Sequence, residues 1–163
     1  MSYDLYLLRK ADVGDDPAAA YERLEEGDDR EPTLEEEREL RELAADLQAA
    51  NPGLDLSEPE QGFLLQLGYE SENPVVIDVG VREITMSWSY GADDPVPALD
   101  EVRLYLPVFE RHGYLAYDPQ LEQVFDYERD RDATREVHDD VQRRVFEKYG
   151  VEQRPWWKHL LGR

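Results

Sequence analysis

The stretch Val75–Tyr90, VVIDVGVREITMSWSY, decides the fold. Two arms rich in β-branched and aromatic residues flank a turn at Gly80–Glu83, the composition of a β-hairpin. In the second arm Ile84, Met86, Trp88 and Tyr90 fall on one face and Thr85, Ser87 and Ser89 on the other, because side chains alternate along a strand. One face is therefore buried, and the other is wet or turned to a partner. That pattern belongs to an antiparallel sheet with helices on one side.

Working toward the N-terminus, Glu70–Pro74 reads as a turn, Phe63–Tyr69 as a strand and residues 54–62 (LDLSEPEQG) as a loop. Thr33 and Glu36 have capping-box spacing. Leu40, Leu43, Leu47 and Ala50 then form a helical stripe that stops at Asn51-Pro52-Gly53. Asp16-Pro17 opens a shorter helix, closed by Gly27, and residues 3–9 (YDLYLLR) form a strand.

Toward the C-terminus, Asp93-Asp94-Pro95 starts a helix with Leu99, Val102, Leu106 and Phe109 as its apolar stripe and Gly113 as its stop. Pro107 inside it removes a backbone donor and is expected to kink or shorten it. Tyr114–Tyr117 and Gln123–Asp126 bracket the turn Asp118-Pro119-Gln120. The remainder is helical, with Val137, Val141 and Val145 spaced by four. The fold class is α+β: a ferredoxin-like antiparallel sheet of order β-α-β-β-β-α-β, helices on one face and a C-terminal helical extension. Residues 1–126 make the α+β domain and 127–163 the extension, within one globular unit.

Thirty-nine acids face eighteen basic residues, only three of them lysine, for a net charge of -21 over 163 residues. Aromatic and branched aliphatic content rules out an acidic disordered chain. The acidity argues against nucleic-acid binding, which requires Lys and Arg to neutralise phosphates. No cysteine is present, so disulfides and thiolate metal sites are excluded. No apolar run is long enough to cross a bilayer and the first twenty residues show no signal-peptide pattern. The expectation is a cytoplasmic protein with no membrane contact. Fifteen Arg to three Lys fits a GC-rich coding bias, a high-salt cytoplasm that screens self-repulsion, or both.

Met1-Ser2-Tyr3-Asp4-Leu5-Tyr6 and Gly113-Tyr114-Leu115-Ala116-Tyr117-Asp118-Pro119-Gln120 resemble a loose group of small bacterial proteins. Those begin MSYDLY and carry a GLxxYDPQ-like element near the final strand. The resemblance implies a link to toxin–immunity systems, as in some members, and implies no catalytic residues.

The candidate sites are few. Asp126, Glu128, Asp130 and Asp132 alternate like a calcium loop, but Arg131 stands where glycine is needed and Val137 where a bidentate Glu is needed. That segment reads as a solvated stretch entering a helix. His138-Asp139-Asp140 lacks ligand spacing, since Thr134 and Gln142 flank His138 at four residues. It reads as a solvated helix face, with Asp140 paired to Arg143 or Arg144. His112 reads as a helix C-terminal group interacting with the dipole. The alternative is a pocket joining Trp88, Tyr90, His112, Tyr114 and Asp118. Tyr3, Trp88 and Tyr90 read first as sheet core and second as a pocket lining. Asp15-Asp16 and Asp93-Asp94 read as helix caps. No metal, cofactor or nucleotide motif is present.

The end of the chain differs in character. Residues 154–163 carry Arg154, Lys158 and Arg163 against no acid, and Trp156, Trp157, Leu160 and Leu161 make the segment apolar. Such a tail packs on its own body, or docks on a second copy or another partner through Trp156, Trp157, Lys158, Leu160 and Leu161.

The leading functional expectation is a non-enzymatic binding module, immunity- or inhibitor-like, that engages a basic protein with its acidic face. The alternatives are a small enzyme or ligand-binding domain using the aromatic and carboxylate pocket, and a housekeeping protein whose acidity reflects habitat. Deletion of residues 154–163 should either lower the melting temperature or leave it intact and abolish an oligomer. Calorimetry and light scattering distinguish the two, and no change in either measurement contradicts both roles.

Overall fold

The structure, a computed structural model, describes residues 2–25, 30–58, 63–69, 74–90 and 95–149. Strand β1 (Ser2–Arg9) sits near the middle of the sheet and alternates between its faces, with Tyr3, Leu5 and Leu7 buried on one side and, on the other, Leu8 buried and Tyr6 half-buried. The short helix α1 (Lys10–Val13) and α2 (Pro17–Glu25) follow, then α3 (Leu34–Ala50). Strands β2 (Asp55–Ser57), β3 (Leu64–Gly68), β4 (Val76–Gly80) and β5 (Ile84–Ser89) lead to α4 (Val96–Arg111). Strands β6 (Tyr114–Asp118) and β7 (Gln123–Val124) precede the long helix α5 (Tyr127–Tyr149).

Among the described residues the sheet has seven strands in the order β2-β3-β4-β5-β1-β6-β7, every neighbouring pair antiparallel. The α+β class and the antiparallel sheet agree with the sequence reading. The strand order differs from the ferredoxin-like order expected. Asp55–Ser57, read as part of a loop, pairs with β3, and Gln123–Val124 adds a strand beside β6. Both edges of the sheet are thus very short strands, which offer little free backbone to another chain.

The expectation of helices on one face also needs correction. Leu40, Leu43, Ala44 and Leu47 of α3 and Leu99, Val102, Tyr105 and Phe109 of α4 pack on the face that carries Tyr3, Leu5, Met86 and Trp88. Val13 of α1 and Ala20 of α2 pack on the opposite face, against Leu8 and Tyr117. The physical reason lies in β1, whose buried Leu7 and Leu8 are adjacent and must point to opposite sides. A second apolar face there requires a second cover.

Local signals set the helix ends. Thr33 and Glu36 form the reciprocal capping box, with Thr33 Oγ1 accepting from the Glu36 amide and the Glu36 carboxylate accepting from the Thr33 amide. Arg30 and these Thr33 donors hold the Glu36 carboxyl far below the usual carboxylate range. Asp16 Oδ1 accepts from the Ala19 amide at 3.1 Å at the start of α2. Gly113, at φ 82°, ends α4 in the left-handed region that glycine tolerates. Pro107 does not shorten α4, which runs without interruption over Val96–Arg111. Gly27, the turn residues 70–73 and the Asp93-Asp94 pair lie outside the described residues.

Thr33→Ala should cost about 1 kcal/mol in urea denaturation, the usual value of an N-cap side chain. Glu36→Gln should destabilise at neutral pH. Because the folded carboxyl is depressed, its contribution is present above the unfolded value near 4.5 and fades as pH falls. The variant and parent curves should therefore converge in acid.

Candidate functional site

Strand pairing brings Tyr3 opposite Trp88, and their rings stack with centroids 4.7 Å apart and planes 12° apart. Tyr90 lies 5.8 Å from the Tyr3 ring and 5.3 Å from the His138 ring. Tyr3 Oη donates to Asp118 Oδ2 at 2.6 Å. The other oxygen of Asp118 accepts from the backbone amides of Gln120 and Leu121 at 2.9 and 3.2 Å. The Asp-Pro-Gln turn therefore folds its own amides back onto the carboxylate that begins it.

Asp118 is fully buried. Burial pushes its carboxyl above the usual range, while the Tyr3 hydroxyl and the two amides oppose that shift. Tyr3 is displaced upward far more strongly, by burial and by its bond to Asp118. Tyr90 is pushed up to about 12 by burial.

Helix α5 lays Thr134 and His138 beneath this cluster, four residues apart on one face and both fully buried. His138 Nε2 lies 3.4 Å from the Ser89 carbonyl oxygen, and Nδ1 lies 3.7 Å from Asp139 Oδ1. Reading His138 as part of a solvated face is thus corrected: the ring packs on Tyr90 inside the fold. Asp140 keeps the role expected of it, pairing with Arg143 and Arg144. Among the described residues Trp88 Nε1, Thr134 Oγ1 and His138 Nδ1 have no hydrogen-bond partner.

The Asp126–Asp132 segment is only partly solvated. Asp130 is 2% exposed and accepts from the Gln123 side chain, the Asp126 amide and the Arg129 guanidinium. Asp126 caps the start of α5 by accepting from the Arg129 amide. Among the described residues no group of three His, Asp or Glu is arranged to hold a metal ion.

The five pocket candidates separate into two places. Trp88, Tyr90 and Asp118 meet around Tyr3. His112 ends α4 and faces α3 instead, its Nε2 2.9 Å from Asp46 Oδ2. Tyr114, at the other end of β6 from Asp118, packs edge-on to Phe109 and lies beneath the Arg9 guanidinium. The tail residues Trp156, Trp157, Lys158, Leu160 and Leu161 lie outside the described residues. Each member of the Tyr3 cluster is at most 7% exposed, so the group acts as a polar core that fixes β1, β5, β6 and α5 to one another.

The opposite face of the sheet is different. Register aligns Ser57, Gln66, Asp78, Thr85, Tyr6 and Tyr117 in one row across the strands, and Val76, Ser87 and Asp4 in the next. Tyr6 and Tyr117 are reached by Tyr21 of α2, with ring centroids 4.8 and 5.4 Å away. Beyond that cover the row is reached by solvent among the described residues: Gln66 is exposed and Asp4, Asp78, Thr85 and Ser87 are half-buried. Gln66 Nε2 donates to Asp78 Oδ1 at 2.8 Å.

Set beside protein-family models, curated proteins and solved structures, the chain matches none. The resemblance carried by Met1–Tyr6 and Gly113–Gln120 therefore rests on those residues alone.

Tyr3→Phe should cost about 1.5–3 kcal/mol at neutral pH, the range for a hydrogen bond to a charged group. The Asp118 carboxyl is already raised in the folded state, so its ionised form is a burden above its folded pKa that is relieved as pH falls. Removing the phenol raises it further. The loss on mutation should shrink when denaturation is repeated below the unfolded carboxylate range, and a pH-independent loss contradicts a charged Asp118.

Proposed function

We propose that the chain is a non-enzymatic binding module that engages a basic protein through the open half of its sheet. The observation that carries the reading is the uncovered row of Gln66, Asp78 and Thr85 with Ser87 and Asp4 beside it. These side chains stand on a central, rigid sheet, offer hydrogen-bonding groups at regular spacing and include two carboxylates. Tyr6 and Tyr21 border them with aromatic surface, a residue type enriched in protein interfaces. A chain of net charge -21 further speeds encounter with a basic partner and penalises an acidic one.

The same reading places the four strands β4-β5-β1-β6 as a ferredoxin-like unit, with β2, β3 and β7 as additions. In its support, β1 and β4 run in one direction with β5 between them, and β5 and β6 run together with β1 between them. No described helix is long and apolar enough to cross a membrane. From its sequence alone, the basic, Trp-rich segment 154–163 is proposed as a second contact for self-association.

The test is affinity capture from the source lysate at low and at molar salt, using the parent chain, Asp78→Arg and Glu42→Arg. Glu42 is an exposed α3 residue paired with Arg38, on the other side of the sheet. One basic protein should co-purify at low salt, dissociate at molar salt, bind Asp78→Arg about tenfold or more weakly and bind Glu42→Arg normally. Equal loss with both substitutions reduces the interaction to net charge, and an unaffected Asp78→Arg overturns the proposed face.

A further inference from the structure

Tyr6 of β1 and Tyr117 of β6 stand directly opposite one another, and Tyr21 of α2 contacts both. The Tyr21 ring meets that of Tyr6 edge-on, at 71°, and that of Tyr117 at a tilt of 32°. The trio packs with Leu8, Val13 and Ala20 beneath α1 and α2. That apolar contact does not use all of its surface. Tyr117 is 3% exposed, but Tyr6 and Tyr21 are only half-buried, and they border the row that contains Thr85 and Asp78.

Asp4 precedes Tyr6 by two residues and therefore stands on the same face, about 7 Å along the strand. Across the β1–β5 pairing Thr85 is opposite Tyr6 and Ser87 is opposite Asp4. Among the described residues the Asp4 carboxylate has no ion-pair partner. The charged groups that act most on the two β-strand phenols are all carboxylates: Asp4 and then Glu83 on Tyr6, and Glu122, Asp16 and Asp118 on Tyr117. Burial, joined by these carboxylates, pushes both phenols above the usual tyrosine range. Glu83 shares its turn with Arg82, which leaves Asp4 as the acid that matters here.

A tyrosine ring attracts a cation to its face, and a carboxylate beside it adds to that attraction. Arginine suits the place better than lysine. Its planar guanidinium stacks on a ring and still presents donors along its edge, where Asp4 and the hydroxyls of Thr85 and Ser87 accept. Granted the open sheet as the binding face, we propose that Tyr6, Tyr21 and Asp4 form the seat for an arginine side chain of the basic partner. Tyr117 is the buried support that holds the two rings in place. Such an anchor gives a flat face the kind of aromatic–arginine contact on which interfaces concentrate their binding energy.

The probe is Nα-acetyl-arginine amide, titrated into the full chain at low salt and followed by NMR of tyrosine rings and backbone amides. Nα-acetyl-citrulline amide is its uncharged isostere, and Nα-acetyl-lysine amide is the other cation. The arginine probe should give saturable shifts centred on Asp4, Tyr6, Tyr21 and Thr85, and bind about threefold or more tighter than either comparator. Tyr21→Leu should weaken it about two- to fivefold, the scale of one exposed cation–π contact. Tyr21→Phe keeps the ring and should bind as the parent does. Asp4→Asn should weaken the probe to a similar extent, whereas Glu42→Gln, the same loss of charge on exposed α3, should not. Amide dispersion checks that each variant folds. Equal binding of the citrulline or lysine amide, an unaffected Tyr21→Leu, equal loss with Glu42→Gln, or shifts spread over the whole acidic surface overturns the seat. The seat and the open face also fail separately. A captured basic protein that is lost with Asp78→Arg but kept with Tyr21→Leu leaves the face standing and overturns the seat. Saturable arginine binding with no captured protein keeps the seat as a guanidinium site and overturns the protein-binding reading.

Discussion

The hydrogen bond from Tyr3 to the buried carboxylate of Asp118 is the constraint around which the rest is organised. This acidic chain places Glu101, Asp118 and Asp130 in its interior, and a buried carboxylate without donors is costly. The fold answers with phenols more than with arginines. Tyr3 donates to Asp118 and Tyr69 and Tyr105 both donate to Glu101, while Tyr127 makes the same kind of bond to the exposed Asp100. Each pair joins elements distant in sequence or adjacent turns of α4. A phenol donates without bringing a charge that must itself be desolvated, and its ring supplies apolar area to the same core. Charge is thus absorbed where tyrosine is available, and Tyr3, Tyr69, Tyr105 and Tyr127 are structural in that sense.

Arginine is used differently. Arg38 with Glu35 and Glu42, Arg41 with Glu37 and Glu58, and Arg143 and Arg144 with Asp140 all lie on exposed surface. Exposed pairs contribute little individually and fade in salt. They moderate repulsion among the acids rather than hold the fold together. Stability rests instead on the apolar layer between sheet and helices, where Leu5, Leu47, Ile77, Met86 and Leu99 are fully buried.

The hairpin of Val75–Tyr90 and helix α3 were legible in the sequence because pattern and local chemistry agreed there. Alternation of apolar and polar residues fixed which face of β5 is buried, and Thr33 with Glu36 fixed where α3 starts. The two-sided cover was not, since the pair Leu7-Leu8 looks like an ordinary apolar run until α1 and α2 are seen packing on Leu8. Nor was the buried face of α5. Tyr127, Asp130, Thr134 and His138 are buried at helical spacing, but three of these four are polar, and a search for apolar periodicity passes over them. Their burial depends on partners far along the chain: Gln123 for Asp130, and Ser89 and Tyr90 for His138. The cavity beside α1 and α2 was hidden for the same reason, because Arg9, Arg23 and Arg82 share no motif and come to line it only through topology.

The open sheet face and the arginine-lined cavity are neighbours on one hairpin. Asp78 stands two residues before Gly80, and Thr85 directly follows Ile84, while Gly80 and Ile84 both line the cavity. The bond from Arg82 to the Leu24 carbonyl ties the hairpin turn to α2, whose Tyr21 borders the open face. A partner seated on Asp78 and Thr85 presses on the same strands, and through the Arg82 bond its effect reaches α2.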